Sequence, residues 1–473
     1  MKRMKTPSWC RLFSFSLPLV LLTGCAVGPD FVRPTMEMPA TWSSETAGTE
    51  ARAVEQELPR WWAVFNDPLF TSLIERAQAA NLDLRQAAAR VRQARAASGM
   101  AFAAIGPTVD AAASHERSRT TAGVVGDLYQ AGFDAGWEID LFGGTRRGIE
   151  AAAADLAAAI EGKNGVLVSL SAEVARTYIS LRVGQQRLAV ARQNMAAQRK
   201  SVEITSQRYA AGLVNHLDLS NAEAQLATTT AQVPVLESGV RQTMHTLALL
   251  LGQPPGALVA ELTPEAQVPV AAAAVPAGLP SDLLRRRPDI RKAEAALHAA
   301  TARIGVAIAD LFPRFTLSGA LSFSDTHLGS LFTWAERGWS FGPSVSWRLF
   351  ETGRTLANIE LRKAMEEEEG IAYQQTVLTA LREVEDGLVA AAKDEEHRRA
   401  LLDAVAANRK AVELATRLYT AGETDFLAVV VAQRSLYAAE DALAQSTGNV
   451  ATELIALYKA LGGGWEAEAV PAP

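Results

Sequence analysis

Six histidines, two cysteines and 52 acidic side chains are the groups here with chemistry to offer, and their spacing decides whether they can use it. His115, His216, His245, His298, His327 and His397 are scattered, without the spacing that would gather imidazoles around a metal. Carboxylate pairs such as Glu383 and Asp386 sit on a charged helical run and give no acid–base site by themselves. The acidic run from Glu366 to Glu369 reads as a solvated helix face. No Gly-x-Ser-x-Gly turn and no phosphate-cradling glycine loop occurs. These absences argue against an enzyme, a metal site and a cofactor. They leave Cys25.

Cys25 ends a segment with its own grammar. Lys2, Arg3 and Lys5 make a positive start, and Leu12 to Leu22 make an apolar stretch too short to span a bilayer. Leu22-Thr23-Gly24-Cys25 then resembles a bacterial lipoprotein box, which implies cleavage before Cys25 and a covalent lipid on it. The alternative is a plain signal peptide followed by an unmodified cysteine. Ala26 rather than Asp after the cysteine resembles the outer-membrane sorting rule. Cys10 leaves with residues 1–24, so the mature chain has no disulfide and must be held by packing or assembly. The formal charge is −6, and without the four cations of the leader the remainder stands at −10, which argues against nucleic acid.

The elements that must position any site are written twice. The stretch from Arg208 to Leu226 returns in Arg417 to Leu436, in a register of 210 positions that sets Tyr209 on Tyr419, Gly212 on Gly422, Leu217 on Leu427 and Ala222 on Ala432. Each copy reads as a helix, a glycine stop, a turn and a new helix. A period this long is an internal duplication, not a solenoid. Within each half the hydrophobic period drops to two. Tyr129, Ala131, Phe133, Ala135, Trp137, Ile139 and Leu141 alternate with Gln130, Gly132, Asp134, Gly136, Glu138 and Asp140, and Thr108–Arg119 is a weaker partner. The second half repeats this with Phe315, Leu317, Leu321 and Phe323, then with Trp339, Phe341, Val345, Trp347 and Leu349. Such strands have the length to cross a bilayer at a tilt. A soluble sheet covered on one face would alternate in the same way. If lipid-facing, four strands cannot close a barrel, and open edges are not tolerated in lipid, so copies must share strands.

Between hairpin and glycine turn lies a very long helix, Thr145 to Ala211 and again Gly353 to Ala421. Ile160, Leu167, Val174, Leu181, Leu188, Met195, Val202 and Tyr209 recur every seventh residue along the first. Each long helix spans about 100 Å at a rise of about 1.5 Å, and the helices flanking it sum to nearly that length. Two shorter helices can therefore stack beside one long one. Pro234 is expected to kink or break the helix from Asn215 to Leu251. The Pro-rich stretch 253–280, the tail and the N-terminal arm are expected to form a belt at the mid-height junction.

The domain reading is a signal peptide 1–24, a lipidated arm and equatorial segment 25–70, and a first αββα repeat 71–252 with hairpin 107–141 and tip turn 209–217. An equatorial linker 253–280 follows, then a second repeat 281–462 with hairpin 313–350 and tip turn 419–427, and a tail 463–473. Mainly α with transmembrane β is the fold class. Cys25-Ala26-Val27-Gly28-Pro29-Asp30-Phe31-Val32-Arg33-Pro34, Trp61-Trp62 with Phe65-Asn66-Asp67-Pro68, Leu284-Arg285-Arg286-Arg287-Pro288-Asp289-Ile290 and Tyr458-Lys459-Ala460-Leu461-Gly462-Gly463-Gly464-Trp465 carry a resemblance. The chain resembles the outer-membrane factor (TolC-like) family, and within it the NodT/OprM-type efflux lipoproteins. That resemblance implies a homotrimer, a 12-stranded barrel in the bacterial outer membrane and a long periplasmic tunnel of 12 helices.

The resemblance also assigns residues. Ala211, Gly212, Leu213, Ala421, Gly422 and Glu423 would be the tip where a periplasmic adaptor (membrane-fusion) protein docks, although a purely structural role for the glycines fits as well. Leu427, Val431 and Arg434 fall on one helix face and would line the constriction, with Tyr209, Asp218, Tyr419 and Asp425 around it. Val431 and Ala428 stand where relatives carry Asp, which predicts an apolar ring unless Asp425 or Asp218 supplies charge. Asp218 would bond Tyr419, and the Arg that completes that network in relatives is Thr424 here. The function implied is a passive exit duct for an inner-membrane pump, of the resistance-nodulation-division type by analogy. A duct for type I protein secretion and a channel-less lipid-anchored coiled-coil tether or adhesin are the alternatives. The transported substrate is not written in the sequence.

Overall fold

Short polar side chains set the helix starts. Asp67 accepts from the amides of Leu69 and Phe70, Asn81 from Leu84, Asn215 from Asp218 and Asp425 from Ala428, each satisfying an amide that has no partner inside its helix. The structure, a computed structural model, describes residues 26–43, 58–271 and 280–465. The leader, Cys25, part of the 253–280 linker and most of the tail lie outside the described residues. A 3₁₀ segment Leu58–Phe65 is followed by α1 Pro68–Ala80, α2 Leu82–Ala103, β1 Thr108–Arg119, β2 Val125–Ile139, α3 Gly144–Ala210, α4 His216–Leu250 and the short α5 Val259–Leu262. The second half has α6 Leu283–Arg286, α7 Pro288–Ala309, β3 Arg314–Asp325, β4 Arg337–Ser346, α8 Thr352–Ala421 and α9 Phe426–Ala460.

Two differences from the sequence reading have local causes. The helix that flanks the first long helix ahead of the strands, expected as one, is two helices, because Asn81 leaves the helical path. Its side-chain amide donates to Leu250 O at 2.8 Å while its oxygen caps α2. Pro234, expected to kink or break its helix, lies inside α4, which continues through it as one 35-residue element.

The chain divides into two compact units. The first holds the described residues up to 35 with 90–160 and 292–374. Its centre is one antiparallel sheet in the order β1-β2-β3-β4. The two hairpins therefore join through β2 and β3, from Tyr129 opposite Asp325 to Ile139 opposite Phe315. This register carries the alternation across all four strands. Val109, Ala135, Gly319 and Phe341 form one row and Ala111, Phe133, Leu321 and Trp339 another, all on one face. The opposite face carries Thr108, Gly136, Ser318 and Gly342, and lower down Glu138, Thr316 and Ser344. The apolar face is bare: Trp339 is 75% exposed and Phe341 70%. No protein layer covers it among the described residues.

The duplication reaches the sheet's helix-side end. Trp137 donates its indole N–H to Ile105 O at 2.9 Å, and Trp347, 210 positions on, donates to Leu311 O at 3.0 Å. Each tryptophan thus ties its strand to the chain leaving the preceding helix. The chain from Val27 on is tied at the same end, and this part of the arm does not join the belt expected for it. Val27 N donates to Phe142 O, and the Arg147 guanidinium, almost fully buried, reaches Val27 O, Gly28 O, Asp30 and Glu150. Gly28 packs backbone to backbone on Gly305, where a Cβ would collide. Phe31 stacks on His298 at 4.4 Å, and His298 contacts Glu150 at 2.9 Å. Burial alone would raise the Glu150 carboxyl, but hydrogen bonds from Arg147 and His298 outweigh it and hold it below the ordinary value. Its contribution to stability is present above the ordinary glutamate pKa and is lost as pH falls through the lowered one.

The second unit comprises residues 36–89, 161–291 and 375 onward. Here the motifs quoted above find their physical use. Trp61 stacks on Tyr458 at 5.4 Å, Phe65 packs on Phe70, and Phe70 on Tyr178. The Tyr178 hydroxyl donates to Asp67 at 2.6 Å and accepts from Arg182 at 3.0 Å; burial first, then the Asp67 carboxylate, push it up to about 12. Arg182 also reaches Pro264 O, and Gln185 reaches Leu262 O, which stitches the described part of the linker to the middle of α3. Arg287 bonds Asp289, Glu383 and Ala460 O, and Trp465 donates to Arg286 O. The heptad residues Val174, Leu181 and Leu188 are buried, whereas Ile160 and Tyr209 near the ends of α3 are exposed. Gly448 of α9 lies against Val183 so closely that a Cβ there would overlap Val183 Cγ2. Valine cannot swing aside, so Gly448→Ala is expected to cost about 1–3 kcal/mol, measurable as a lowered unfolding midpoint in denaturant.

Candidate functional site

The site begins at the two glycine turns. After α3, Gly212 takes φ +71° and its N–H bonds Tyr209 O, while Leu213 N bonds Arg208 O. After α8, Gly422 takes φ +81°, Gly422 N bonds Tyr419 O, and Glu423 N bonds Leu418 O. Both are Schellman endings followed within a few residues by an N-capped helix, so each long helix reverses with its terminal carbonyls satisfied. A side chain at either glycine would meet open space sterically at Gly212 and only the end of Arg208 at Gly422. The requirement is therefore conformational. Gly212→Ala and Gly422→Ala are each expected to cost about 1 kcal/mol locally. Hydrogen exchange at the amides of Leu213 and Glu423 would read this as roughly fivefold faster opening.

Ala211, Gly212, Leu213, Ala421, Gly422 and Glu423 are all exposed. Behind them the two hairpins are joined by one buried cluster of Tyr419, Phe426, Val429, Val430 and Ala222, flanked by Val202, Ile204, Val214 and Ala415. The Tyr419 and Phe426 rings meet edge to face at 5.2 Å. Arg208 lies over the Tyr419 ring at 4.8 Å and donates to Thr420 O at 3.0 Å, a clasp from the first hairpin onto the second. The Tyr419 hydroxyl donates to Thr205 Oγ1 at 3.4 Å. It does not reach Asp218, so the Asp218–Tyr419 bond implied by the resemblance is not made within this chain. Asp218 lies in the first turn of α4, where its amide is capped by Asn215.

On α9 the burial is divided by face. Phe426, Val429 and Val430 point into the cluster and Gln433 is buried against Ser201, while Leu427 (56% exposed), Val431 (54%) and Arg434 form an exposed stripe. Ala428 is half-buried, and Asp425 is exposed with its carboxylate capping α9. Leu213 and Leu217 add apolar exposure on the first hairpin. Tyr209 and Tyr419, equivalent in the repeat, have opposite fates: Tyr209 is exposed at the edge of His216, 5.4 Å away, and Tyr419 is buried.

Sequence reasoning missed Arg208, Thr205 and Phe426. Their signal was present as departures from the repeat, for their counterparts 210 positions away are Leu418, Ala415 and His216. Symmetric positions build each hairpin, and asymmetric ones join the two.

No group of three or more metal-ligating side chains occurs among the described residues. No helix among them is long and apolar enough to cross a membrane. Known proteins share this arrangement over nearly its whole length. A family model described as outer membrane efflux protein matches residues 73–253 and 279–463. Nodulation protein T of Rhizobium leguminosarum bv. trifolii is 33% identical over 458 residues, covering 94% of this chain and 96% of that protein. The toluene efflux pump outer membrane protein TtgF of Pseudomonas putida is 33% identical over 461 residues, covering 94% and 95%. Among solved structures, the outer-membrane channel OprN matches with a TM-score of 0.86 at 37% identity, over 93% of this chain and all of that one. The open state of the Neisseria gonorrhoeae MtrE outer membrane channel matches with a TM-score of 0.81 at 28% identity, over 93% and 99%.

Proposed function

The chain belongs to the outer membrane efflux protein family, and we propose that three copies of it form the exit duct of a tripartite efflux system, joined in the periplasm to an adaptor and an inner-membrane pump. It is a transport protein and not an enzyme, sited in the outer membrane with a periplasmic helical tunnel. The observation that carries the reading is the sheet: across its middle rows one face is apolar and bare and the other mostly polar, and the edge strands β1 and β4 have no further partner strand among the described residues. Such a sheet is stable in lipid only as an arc of a closed barrel with its polar face toward water. The bare tips then fall at the other end of the long helices, where Ala211–Leu213 and Ala421–Glu423 meet the adaptor and Leu427, Val431 and Arg434 line the narrowing.

Passage needs no chemistry from the duct. Energy enters at the pump, and the substrate is whatever the pump delivers. Relatives named for toluene and antibiotic efflux favour small molecules over a type I secreted protein. Cys25 carries lipid in this reading. Ala26, the next residue, lies against Gly143, just past the strand that ends at Ile139. Two measurements test the proposal in the native host. Labelled palmitate should enter the wild type and not Cys25→Ser, and in-cell cross-linking from Leu213 or Glu423 should capture an adaptor with its pump. An intact trimer that captures neither would overturn the partner assignment.

A further inference from the structure

We propose that the foot of the sheet carries a binding site for small multivalent anions, solutes bearing phosphate or carboxylate groups, in a cleft where Arg348 and Arg354 share the carboxylate of Glu351. This rests on the duct proposed above, in which the polar face of the sheet looks into the lumen. The ladder places the cleft on that face. Arg314 is opposite Ser346, and both share their side of the sheet with Thr316, Ser344 and Glu138. Arg314 and Ser346 line a cleft of about 340 Å³ with Asp310, Arg348, Glu351 and Arg354. A second hollow adjoins it, lined by Asp155 of α3, Arg303 of α7 and Arg362 of α8, with Asp310 and Asn358 common to both. The N-terminal arm is tied to α3 through Arg147 and the stack on His298, neither of which lines the cleft or the hollow, so it leaves them open.

Charge is not balanced there. Arg303 pairs with Asp155 at 2.5 Å and Arg314 with Asp310 at 2.6 Å, and Glu138 lies 4.0 Å from Arg314. Asp140, on the same foot, is held by Arg146. Among the described residues, Arg348 and Arg354 have Glu351 as their one acidic partner, at 3.5 and 3.8 Å, the long end of ion-pair contact. Arg362 meets no carboxylate among them and reaches the Met365 sulfur at 3.8 Å. The five guanidiniums of the cleft and hollow thus exceed the carboxylates of Asp155, Asp310, Glu351 and Glu138 by one positive charge per copy. α8 starts at Thr352 with no acid in its first turn, so its positive end adds to the excess. Arg348 and Arg354 are 67% and 76% exposed, which keeps their N–H groups open to a solute. A guanidinium offers paired N–H groups that match two oxygens of a phosphate or carboxylate. One multivalent anion can therefore engage both arginines at the expense of weak contacts to Glu351 alone, and a cleft lined by one sign of charge concentrates such anions.

Isothermal titration calorimetry with tripolyphosphate tests the site on the full-length protein in detergent at low salt, with native mass and single-channel conductance measured on the same samples. Saturable binding of about one anion per subunit is expected, weakening as salt rises. Arg348→Ala with Arg354→Ala should weaken it about tenfold or more. Glu351→Gln removes the competing carboxylate and should strengthen binding several-fold, a gain that a misfolded variant would not show. Arg337→Ala, at the far end of β4 and on the apolar face opposite Phe323, should leave binding unchanged. Absence of saturable binding in a trimeric, conducting wild type overturns the site and leaves the duct standing. So does an equal loss in Arg337→Ala, or a double variant that loses the trimer instead of the anion. Uptake of phosphatidylglycerol from mixed micelles without uptake of tripolyphosphate would set these arginines against lipid and overturn the luminal assignment. A monomeric, silent wild type overturns duct and site together.

Discussion

Phe426→Ala raises the conductance of the reconstituted channel several-fold, and Phe426→Ala with Tyr419→Ala raises it further. Phe426 is 1% exposed and Tyr419 4%, and together they form the centre of the cluster that holds the two hairpin tips of one chain together. Truncating a buried Phe costs about 3–5 kcal/mol. A tip held by so few residues has little else to replace that energy. Other links between the hairpins near the tip include the Arg208 clasp, part of which is the Tyr419 ring, the long Tyr419–Thr205 hydrogen bond and the Gln433–Ser201 hydrogen bond. The lost packing falls on the hairpin ends alone, since the aromatic packing around Trp61, Tyr178 and Tyr458 involves other residues. Folding and trimer mass should therefore persist while the tips splay. Planar-bilayer recording of wild type and variants checks this. An unchanged conductance in a folded trimer would show that the cluster does not set the narrowing.

The second large effect is electrostatic. Val431→Asp converts a channel weakly sensitive to trivalent cations into one strongly blocked by them. The exposed stripe of α9 offers Leu427 and Val431 with Arg434 one turn on, so a ring lined by this stripe, as proposed above, would be apolar with cations behind it. A trivalent cation about 6 Å from one carboxylate in a water-like medium gains roughly 2 kcal/mol. Three symmetry-related carboxylates would together strengthen block by two orders of magnitude or more at low salt, and the effect should fade as the Debye length shortens. Titrating hexaamminecobalt(III) at low and high ionic strength measures it. Strong block of the wild type would place Asp425 or Asp218, not Val431, at the narrowest ring.

What the sequence made legible follows from which forces are local. The period-two alternation from Tyr129 to Leu141 and from Trp339 to Leu349 is set by the pleat, so the two-faced sheet could be written down before any coordinates. Gly212 and Gly422 mark their turns because a left-handed residue past a helix end favours glycine. The pairing of β2 with β3 could not be read, since it joins residues nearly 200 positions apart and no turn between them fixes a register. The break at Asn81 was hidden for a related reason. An isolated Asn within a run of helix formers reads as tolerated, and only the carbonyl of Leu250 makes its departure favourable. At Pro234 the break is not made, for α4 runs through it as one helix although a proline there removes a backbone hydrogen bond. At the tip, the repeat register located Tyr419, while its expected partner Asp218 came from the resemblance. Within one chain the buried ring meets Thr205 and Arg208 of the first hairpin, which neither signal named.

Single-channel recording of the purified, detergent-extracted protein, paired with its native mass, addresses the central claim most directly. A trimer that opens a continuous water-filled pore in a planar bilayer is the result predicted from a sheet with one bare apolar face and two unpaired edges. A lone subunit that leaves the bilayer silent would contradict it.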